Sequence, residues 1–97
     1  MTDIRLIRYF IAVLEERNIT RTAERLGMQQ SPLSAQLKKL EQIVGPQLVR
    51  RILGGIEPTP EGLVLYSEYR KILEQLQVAE QTARRLDRGL SGQLGQM

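Results

Sequence analysis

The stretch Gln29–Gly45, QQSPLSAQLKKLEQIVG, decides the fold because it predicts one short helix with a defined start and end. Ser31 is suited to cap the first turn by accepting a backbone N–H, and Pro32 fits the first helical position. Gly45 suits the left-handed residue after the last turn, and the proline that follows it prevents continuation. We therefore predict a helix over about 31–44.

The two faces of this helix differ in chemistry. Four apolar residues recur at helical spacing and predict a buried stripe: Leu33, Leu37, Leu40 and Val44. The opposite face carries small and polar residues near the N-terminus and two lysines further along: Ser31, Ser34, Ala35, Lys38, Lys39 and Gln42. Such a helix is suited to entering a groove of DNA with its N-terminus first, although an ordinary amphipathic surface helix fits this stretch equally well.

Charge and composition narrow the functional classes. The chain has 97 residues and a net charge of +3, but residues 17–51 hold seven basic residues against two acidic ones. This local net of +5 leaves −2 for the remainder, and a basic middle of this kind is the electrostatic footprint of a nucleic-acid partner. The absence of Cys and His removes disulfides, thiolate nucleophiles and the usual zinc ligands. We expect no enzyme, no metal or other cofactor, no membrane span and a cytoplasmic location.

The residues before this stretch predict two further helices. The first runs from an Asp3 cap to about Arg17, with Asn18 in the left-handed position that ends it. Thr20 then caps a short second helix over 21–26, which a glycine ends. Two short helices joined by a tight turn, the second with a basic outer face, form a helix-turn-helix pattern. A helical hairpin without any role in DNA binding is the alternative.

Beyond the helix-turn-helix pattern the chain predicts a hairpin. A Gly-Gly pair between β-branched runs predicts a short two-stranded wing over residues 47–53 and 56–59. Arg50 and Arg51 on the first strand are then available for phosphates. A plain loop around the two glycines fits the sequence nearly as well.

The longest predicted helix begins at a Thr59 cap and runs from Pro60 to about Arg88, about 42 Å at 1.5 Å per residue. Its apolar residues form a heptad seam: Leu65, Tyr69, Ile72, Leu76, Ala79, Ala83 and Leu86. Because such a helix outreaches a domain of residues 1–59, we expect the seam to pair with the same helix of a second chain. A helix folded back on its own domain is the alternative. The last nine residues hold three glycines and predict a hinge or frayed tail.

In this order the segments resemble the N-terminal DNA-binding part of a LysR-type bacterial transcriptional regulator. The resemblance covers essentially the whole chain and rests on the motifs RYFIAV, TRTAERL, QQSPLS, LKKLE, GPQLVRR and TPEG at their spacings. It implies a mainly α fold, a winged helix-turn-helix with a short two-stranded wing and a long C-terminal dimerisation helix. The implied divisions are residues 1–59 for the DNA-binding domain, 60–88 for the linker helix and 89–97 for a hinge.

The resemblance also implies partners. It implies double-stranded DNA, a homodimer through the linker helix and a higher oligomer in the full-length protein. The chain would be part of a longer protein whose absent C-terminal domain, two-lobed like a periplasmic binding protein, binds a small-molecule effector. The implied function is a sequence-specific regulator whose dimer reads an interrupted inverted repeat. An architectural protein that binds DNA without sequence preference is the alternative, and a protein-interaction module that uses the heptad helix is a second one.

Roles of individual residues follow from the same resemblance. The QQSPLS segment matches the part that meets base edges, the start of the second helix matches a phosphate contact, and Arg51 matches the wing arginine. The candidate DNA-binding residues are therefore Thr20, Arg21, Gln29, Gln30, Ser31, Pro32, Ser34, Ala35, Lys38, Lys39, Arg50 and Arg51. Three positions depart from the family pattern: Ala35 stands where Arg is frequent, Val49 replaces a frequent Phe, and Gly54 sits where a second wing Arg is common.

Overall fold

The computed structural model describes the backbone of residues 1–95 and the side chains of residues 1–89. The elements are α1 (Ile4–Glu16), α2 (Ile19–Leu26), α3 (Gln30–Val44), β1 (Val49–Ile52), β2 (Gly55–Pro58) and α4 (Pro60–Gly95). This order confirms the predicted mainly α winged helix-turn-helix with a long C-terminal helix. Among the described helices, none combines the length and the apolar character that spanning a membrane requires.

The core lies where α1, α2, α3 and the base of the wing meet. Phe10 and Val13 of α1 and Leu33 of α3 have no exposed surface, and Leu48, just before β1, is 1% exposed. Burying each such side chain contributes roughly 1.5–3 kcal/mol. Val44 was predicted to extend the buried stripe of α3 but is 39% exposed, because the last turn of α3 passes beyond the core.

The turn between α1 and α2 differs from the prediction. Arg17, rather than Asn18, takes the left-handed conformation that ends α1, with φ +58°, and its N–H donates to Val13 O at 2.8 Å. Asn18 is extended and its Oδ1 accepts from Arg21 N at 2.9 Å. Asn18 therefore caps α2 in place of Thr20, because the chain reaches cap geometry two residues earlier.

The start of α3 also differs from the prediction. The helix begins at Gln30 after Gln29, which makes no side-chain capping hydrogen bond, so Ser31 is not the cap. Gly27, with φ +66°, turns the chain sharply and lets the helix start early. Pro32 consequently occupies the third helical position, where a missing N–H still costs no intrahelical hydrogen bond.

The wing is an antiparallel hairpin, which confirms the predicted strands against the alternative of a plain loop. Ile52 pairs with Gly55, so the turn consists of Leu53 and Gly54, with Gly54 at φ +85°. A Cβ on Gly55 would lie 2.5 Å from Arg17 O, so the glycine lets the hairpin lie against the α1–α2 turn. The N–H of the next residue, Ile56, donates to that carbonyl at 2.9 Å.

The TPEG motif has a direct structural explanation at the start of α4. Thr59 Oγ1 accepts from Gly62 N at 3.0 Å and donates to Gln47 O at 2.7 Å, which confirms the predicted cap. A Cβ on Gly62 would lie 2.0 Å from Leu48 O. The motif therefore holds the first turn of α4 directly against the segment that enters the wing.

The far end of α4 extends beyond the prediction. The helix continues to Gly95, whereas the sequence predicted an end at about Arg88. Each glycine lowers helix stability by about 1 kcal/mol relative to alanine, but no proline interrupts this segment, so the helix persists. The hinge predicted over 89–97 thus overlaps helical residues, and residues 96–97 lie outside the described part. The division into a linker helix and a hinge stays a prediction.

Candidate nucleic-acid interface

The exposed face of α3 presents most of the predicted DNA-binding side chains. Leu33, Leu37 and Leu40 face the core, so the residues between them are turned outward. Six of the predicted residues on α3 are exposed: Gln30, Ser31, Pro32, Ala35, Lys38 and Lys39. Gln29, the N-cap, is exposed as well, and Ser34 is half-buried. The apolar stripe therefore determines which polar groups face outward.

The wing brings one of its two arginines to α3. Arg51 Nη2 donates to Ser34 Oγ at 3.1 Å, and both residues line a cleft between α3 and the wing with Lys38. Successive residues of a strand point to opposite faces, so Arg50 lies on the other face of the hairpin. There Arg50 Nε lies 3.5 Å from Glu57 Oε1 on β2. The structure thus joins Arg51, but not Arg50, to the surface of α3.

Thr20 and Arg21 lie in the first turn of α2, and both are exposed. Their backbone positions are fixed by the Asn18 cap described above and by Thr22, whose buried hydroxyl donates to Asn18 O at 2.7 Å. Backbone N–H groups and basic side chains at such a helix start are suited to phosphate contacts. The start of α2 thus remains a candidate phosphate-contact site.

Two of the seven basic residues in the segment 17–51 make contacts with residues of α1 within the fold. Arg25 binds Glu15 Oε1 at 2.9 Å and Glu16 Oε2 at 3.2 Å. Arg17 Nε donates to Leu14 O at 3.0 Å. The basic character that the sequence assigns to the whole segment is therefore concentrated on α3, the start of α2 and the wing.

Sequence reasoning missed a basic residue near α3. Arg5 of α1 is exposed and lines the same cleft as Pro32 and Lys39. Asp3, also in this cleft, accepts from Leu6 N at 3.0 Å, and chiefly this hydrogen bond lowers the pKa of its carboxyl below 3.8. No local signal identifies Arg5, because its neighbours in space are about thirty positions away in the sequence.

Glu41 is a second missed residue, and it positions the wing. Its Oε2 accepts from Leu48 N at 2.7 Å and from Val49 N at 3.3 Å. The carboxylate therefore anchors the start of β1 to α3, two residues before Arg51. In the part of the chain that the structure describes, no cluster of three or more metal-ligating side chains occurs.

Comparisons with known proteins place this geometry in a family. The profile of the family described as "Bacterial regulatory helix-turn-helix protein, lysR family" matches residues 4–63, which span every element from α1 to the first turn of α4. The chain belongs to the lysR family. This membership confirms the resemblance that the sequence motifs indicated.

Two relatives illustrate the similarity of this lysR-family chain to named proteins. It is 46% identical over 92 residues to the HTH-type transcriptional regulator BudR of Klebsiella aerogenes, covering 95% of this chain and 64% of that protein. It is 38% identical over 93 residues to the HTH-type transcriptional regulator XapR of Escherichia coli K12, covering 96% of this chain and 32% of that protein. The chain thus spans less than two thirds of the length of these relatives. Both are named as regulators, in agreement with the prediction that the chain is not an enzyme.

Solved structures agree with the fold of this lysR-family chain. The BenM DNA-binding domain in complex with catB site 1 DNA matches with a TM-score of 0.82 and 36% identity, over 87% of this chain and 93% of that one. The CbnR DNA-binding domain in complex with DNA matches with a TM-score of 0.82 and 34% identity, over 87% of this chain and 97% of that one.

The heptad seam of this lysR-family chain divides between two environments. Tyr69 is 7% exposed and its ring meets Phe10 edge to face, with centroids 5.9 Å apart, and Leu65 is half-buried against the same core. Ile72 and Leu86 are 51% and 65% exposed. Of the remaining seam residues Leu76 is half-buried, and Ala79 and Ala83 are exposed. The seam is therefore not one interface: its first residues complete the chain's own core.

Proposed function

We propose that this chain is the DNA-binding part of a cytoplasmic transcriptional regulator and binds double-stranded DNA sequence-specifically as a homodimer. The observation that carries the proposal is the exposed polar face of α3 beside Arg51, in a chain of the lysR family. The complexes of BenM and CbnR DNA-binding domains with DNA support it by similarity.

The candidate DNA-binding residues fall into two groups with different chemistry. Gln30, Ser31 and Ser34 offer hydrogen-bonding groups suited to base edges, and the methyl of Ala35 suits apolar contact with a thymine methyl. Lys38 and Lys39, further along the helix, suit phosphates instead, as do Thr20, Arg21, Arg50 and Arg51. Neutralising phosphates releases counterions, so we expect the affinity to fall steeply with salt.

The second half of α4 supplies the homodimer in this proposal. Its seam residue Leu86 is exposed in the single chain, and a two-fold partner would cover it. A two-fold dimer reads an inverted repeat whose half-sites lie on one face of the duplex, an integral number of turns apart. We further propose that a small-molecule effector and any higher oligomer depend on the longer protein, since XapR is about three times the matched length.

The test is selection of bound duplexes from a random library at near-physiological salt, with wild type and two variants. Wild type should enrich an inverted repeat. Gln30→Ala should relax base preference within the half-site by about 1–3 kcal/mol at the contacted position. Lys39→Ala should keep the enriched sequence and weaken all duplexes about equally, with a smaller salt dependence.

Two control variants carry the same substitutions outside the candidate interface. Gln81→Ala and Lys71→Ala make the same changes at exposed positions on α4, away from α3, and should leave the enriched sequence and the affinity within error. Binding without any enriched sequence in wild type would contradict the proposal and favour an architectural protein. Equal loss on selected and random duplexes in both α3 variants would contradict the division into base-contacting and phosphate-contacting groups.

A further inference from the structure

A single carboxylate joins three helices at the base of α4. Glu15 of α1 binds Arg25 Nη2 of α2 through Oε1 at 2.9 Å. Its Oε2 accepts from Tyr66 Oη at 2.8 Å and from Arg70 Nη1 at 2.9 Å, both on α4. Partial burial raises the pKa of Glu15, but the hydrogen bonds from Tyr66 and Arg25 outweigh burial and bring the pKa below its ordinary value of 4.5. The carboxylate is therefore charged at neutral pH and accepts all three donors.

This cluster, Glu15 with Arg25, Tyr66 and Arg70, complements the apolar contact between α1 and α4. Within residues 1–89, Tyr66 and Arg70 make the side-chain hydrogen bonds that link α4 to α1. The edge-to-face contact of Phe10 and Tyr69 packs α4 against α1. Hydrogen bonds are directional, so the Glu15 cluster restricts the angle between α4 and α2.

A small change in this angle has a large effect at the far end of α4. Asp87 lies seventeen residues beyond Arg70, about 25 Å at 1.5 Å per residue. A tilt of about 10° at Arg70 therefore moves Asp87 by about 4 Å. This displacement exceeds the ~3.4 Å rise of one base pair. If the far part of α4 joins two copies, the tilt determines how far apart their α3 helices lie.

We propose that Glu15 is a positioning residue that sets the half-site spacing of the dimer by holding α4 at a fixed angle to the helix-turn-helix. This role rests on the proposed function, because spacing has meaning only for a dimer that reads two half-sites. An ion pair that serves stability alone would change the affinity for all spacings alike. The two roles therefore differ in a measurable way.

The first test measures affinity for duplexes that carry the same two half-sites with the spacer lengthened or shortened by one base pair. Wild type should prefer one spacing by about tenfold. Glu15→Gln should reduce that preference below about threefold and leave the affinity for a single half-site within about twofold. Glu68→Gln is the matched control, because Glu68 forms its ion pair with Lys71 of the same helix. A Glu15→Gln protein with the spacing preference of wild type would overturn the proposal.

The second test needs no DNA. The sequence has no cysteine, so spin labels can be attached at Glu24→Cys on α2 and Arg84→Cys on α4 of one chain. The doubly labelled protein is diluted with unlabelled protein, so that the measured distance is the one between the two helices of a single chain. Glu15→Gln and Tyr66→Phe, which removes only a hydroxyl, should each broaden the distance distribution by about 4 Å, whereas Glu68→Gln should not. Unchanged widths in both variants would overturn the proposal. If wild type bound no duplex, the proposed function would fail. The widths of the spin-label distance distributions would still decide whether Glu15 fixes the angle between α4 and α2.

Discussion

The two halves of α4 share one heptad pattern but differ in what surrounds them. In the near half (60–73), Tyr69 is buried against Phe10, and Tyr66 and Leu73 pack against the same core. In the far half (74–89), Val78 is 47% exposed and Leu86 is 65% exposed. A heptad pattern therefore identifies an apolar face but not the element that covers it. Changes in the near half should alter folding, and changes in the far half should alter association.

The largest effect is expected for Tyr69→Ala in the near half. Truncating a buried aromatic side chain removes its apolar contacts and leaves a cavity, so we expect a loss of about 3–5 kcal/mol in the free energy of unfolding. The measurement is urea unfolding followed by circular dichroism, at a concentration where wild type is monomeric. Leu86→Ala is the control in the far half and should change this free energy by less than ~0.5 kcal/mol. Similar losses in both variants would remove the distinction between the halves.

The next largest effect is expected for Leu86→Asp in the far half. A charge on the exposed seam should raise the dimer dissociation constant by about 30-fold, which corresponds to about 2 kcal/mol. The folded domain should keep its helical signal, because Leu86 is 65% exposed. Sedimentation equilibrium measures the dissociation constant, with Gln81→Asp as a control that adds the same charge on another face. An unchanged dimer would show that the far half does not hold the two copies together.

Two glycine substitutions should have opposite signs. At Gly62 a Cβ would lie 2.0 Å from Leu48 O, so Gly62→Ala should force the start of α4 from the core and destabilise the fold by about 1–3 kcal/mol. At Gly89 a Cβ would meet none of the described residues within 4 Å, so Gly89→Ala should stabilise the helix by about 0.5–1 kcal/mol. Thermal unfolding of both variants compares them directly. If Gly62→Ala stabilised the protein, this result would contradict the close approach of Gly62 to Leu48 O in the near half of α4.

The smallest effect concerns the pH dependence of the Glu15 cluster. Because the pKa of Glu15 is lowered in the folded chain, its contribution is present above about pH 4.5 and is lost as the pH falls through the lower folded value. Wild type should therefore exceed Glu15→Gln in free energy of unfolding at pH 7, and the difference should shrink below pH 4.5. Urea unfolding at several pH values measures this difference in the free energy of unfolding. A difference that is constant with pH would exclude this charge as its source.

Much of the fold follows from local sequence signals. Helical spacing identifies the stripe Leu33, Leu37 and Leu40, and a Thr-Pro pair identifies the Thr59 cap, because both signals involve residues within one or two turns. The boundaries were less predictable. Asn18 and Thr20 are both good capping residues, and the choice between them depends on Arg17 accepting a left-handed conformation.

The parts of the candidate site that depend on tertiary contacts could not be predicted. The sequence identified the exposed face of α3 correctly, but it did not indicate that Arg51 reaches Ser34 while Arg50 pairs with Glu57. The partners of Glu15 on α4 lie more than fifty positions away, and no spacing rule connects them. The seam residue Tyr69 shows the same limit, because periodicity cannot distinguish a core from a dimer interface.

Amide hydrogen exchange, followed by mass spectrometry above and below the dimer dissociation constant, tests the two roles of α4 most directly. Exchange reports local opening segment by segment, and association protects the amides of the segment that it stabilises. The far half, 74–89, should lose protection on dilution, while the near half, 60–73, should keep it. Equal loss in both halves, or protection that does not depend on concentration in the far half, would contradict the assignment of the near half to the core and the far half to the dimer.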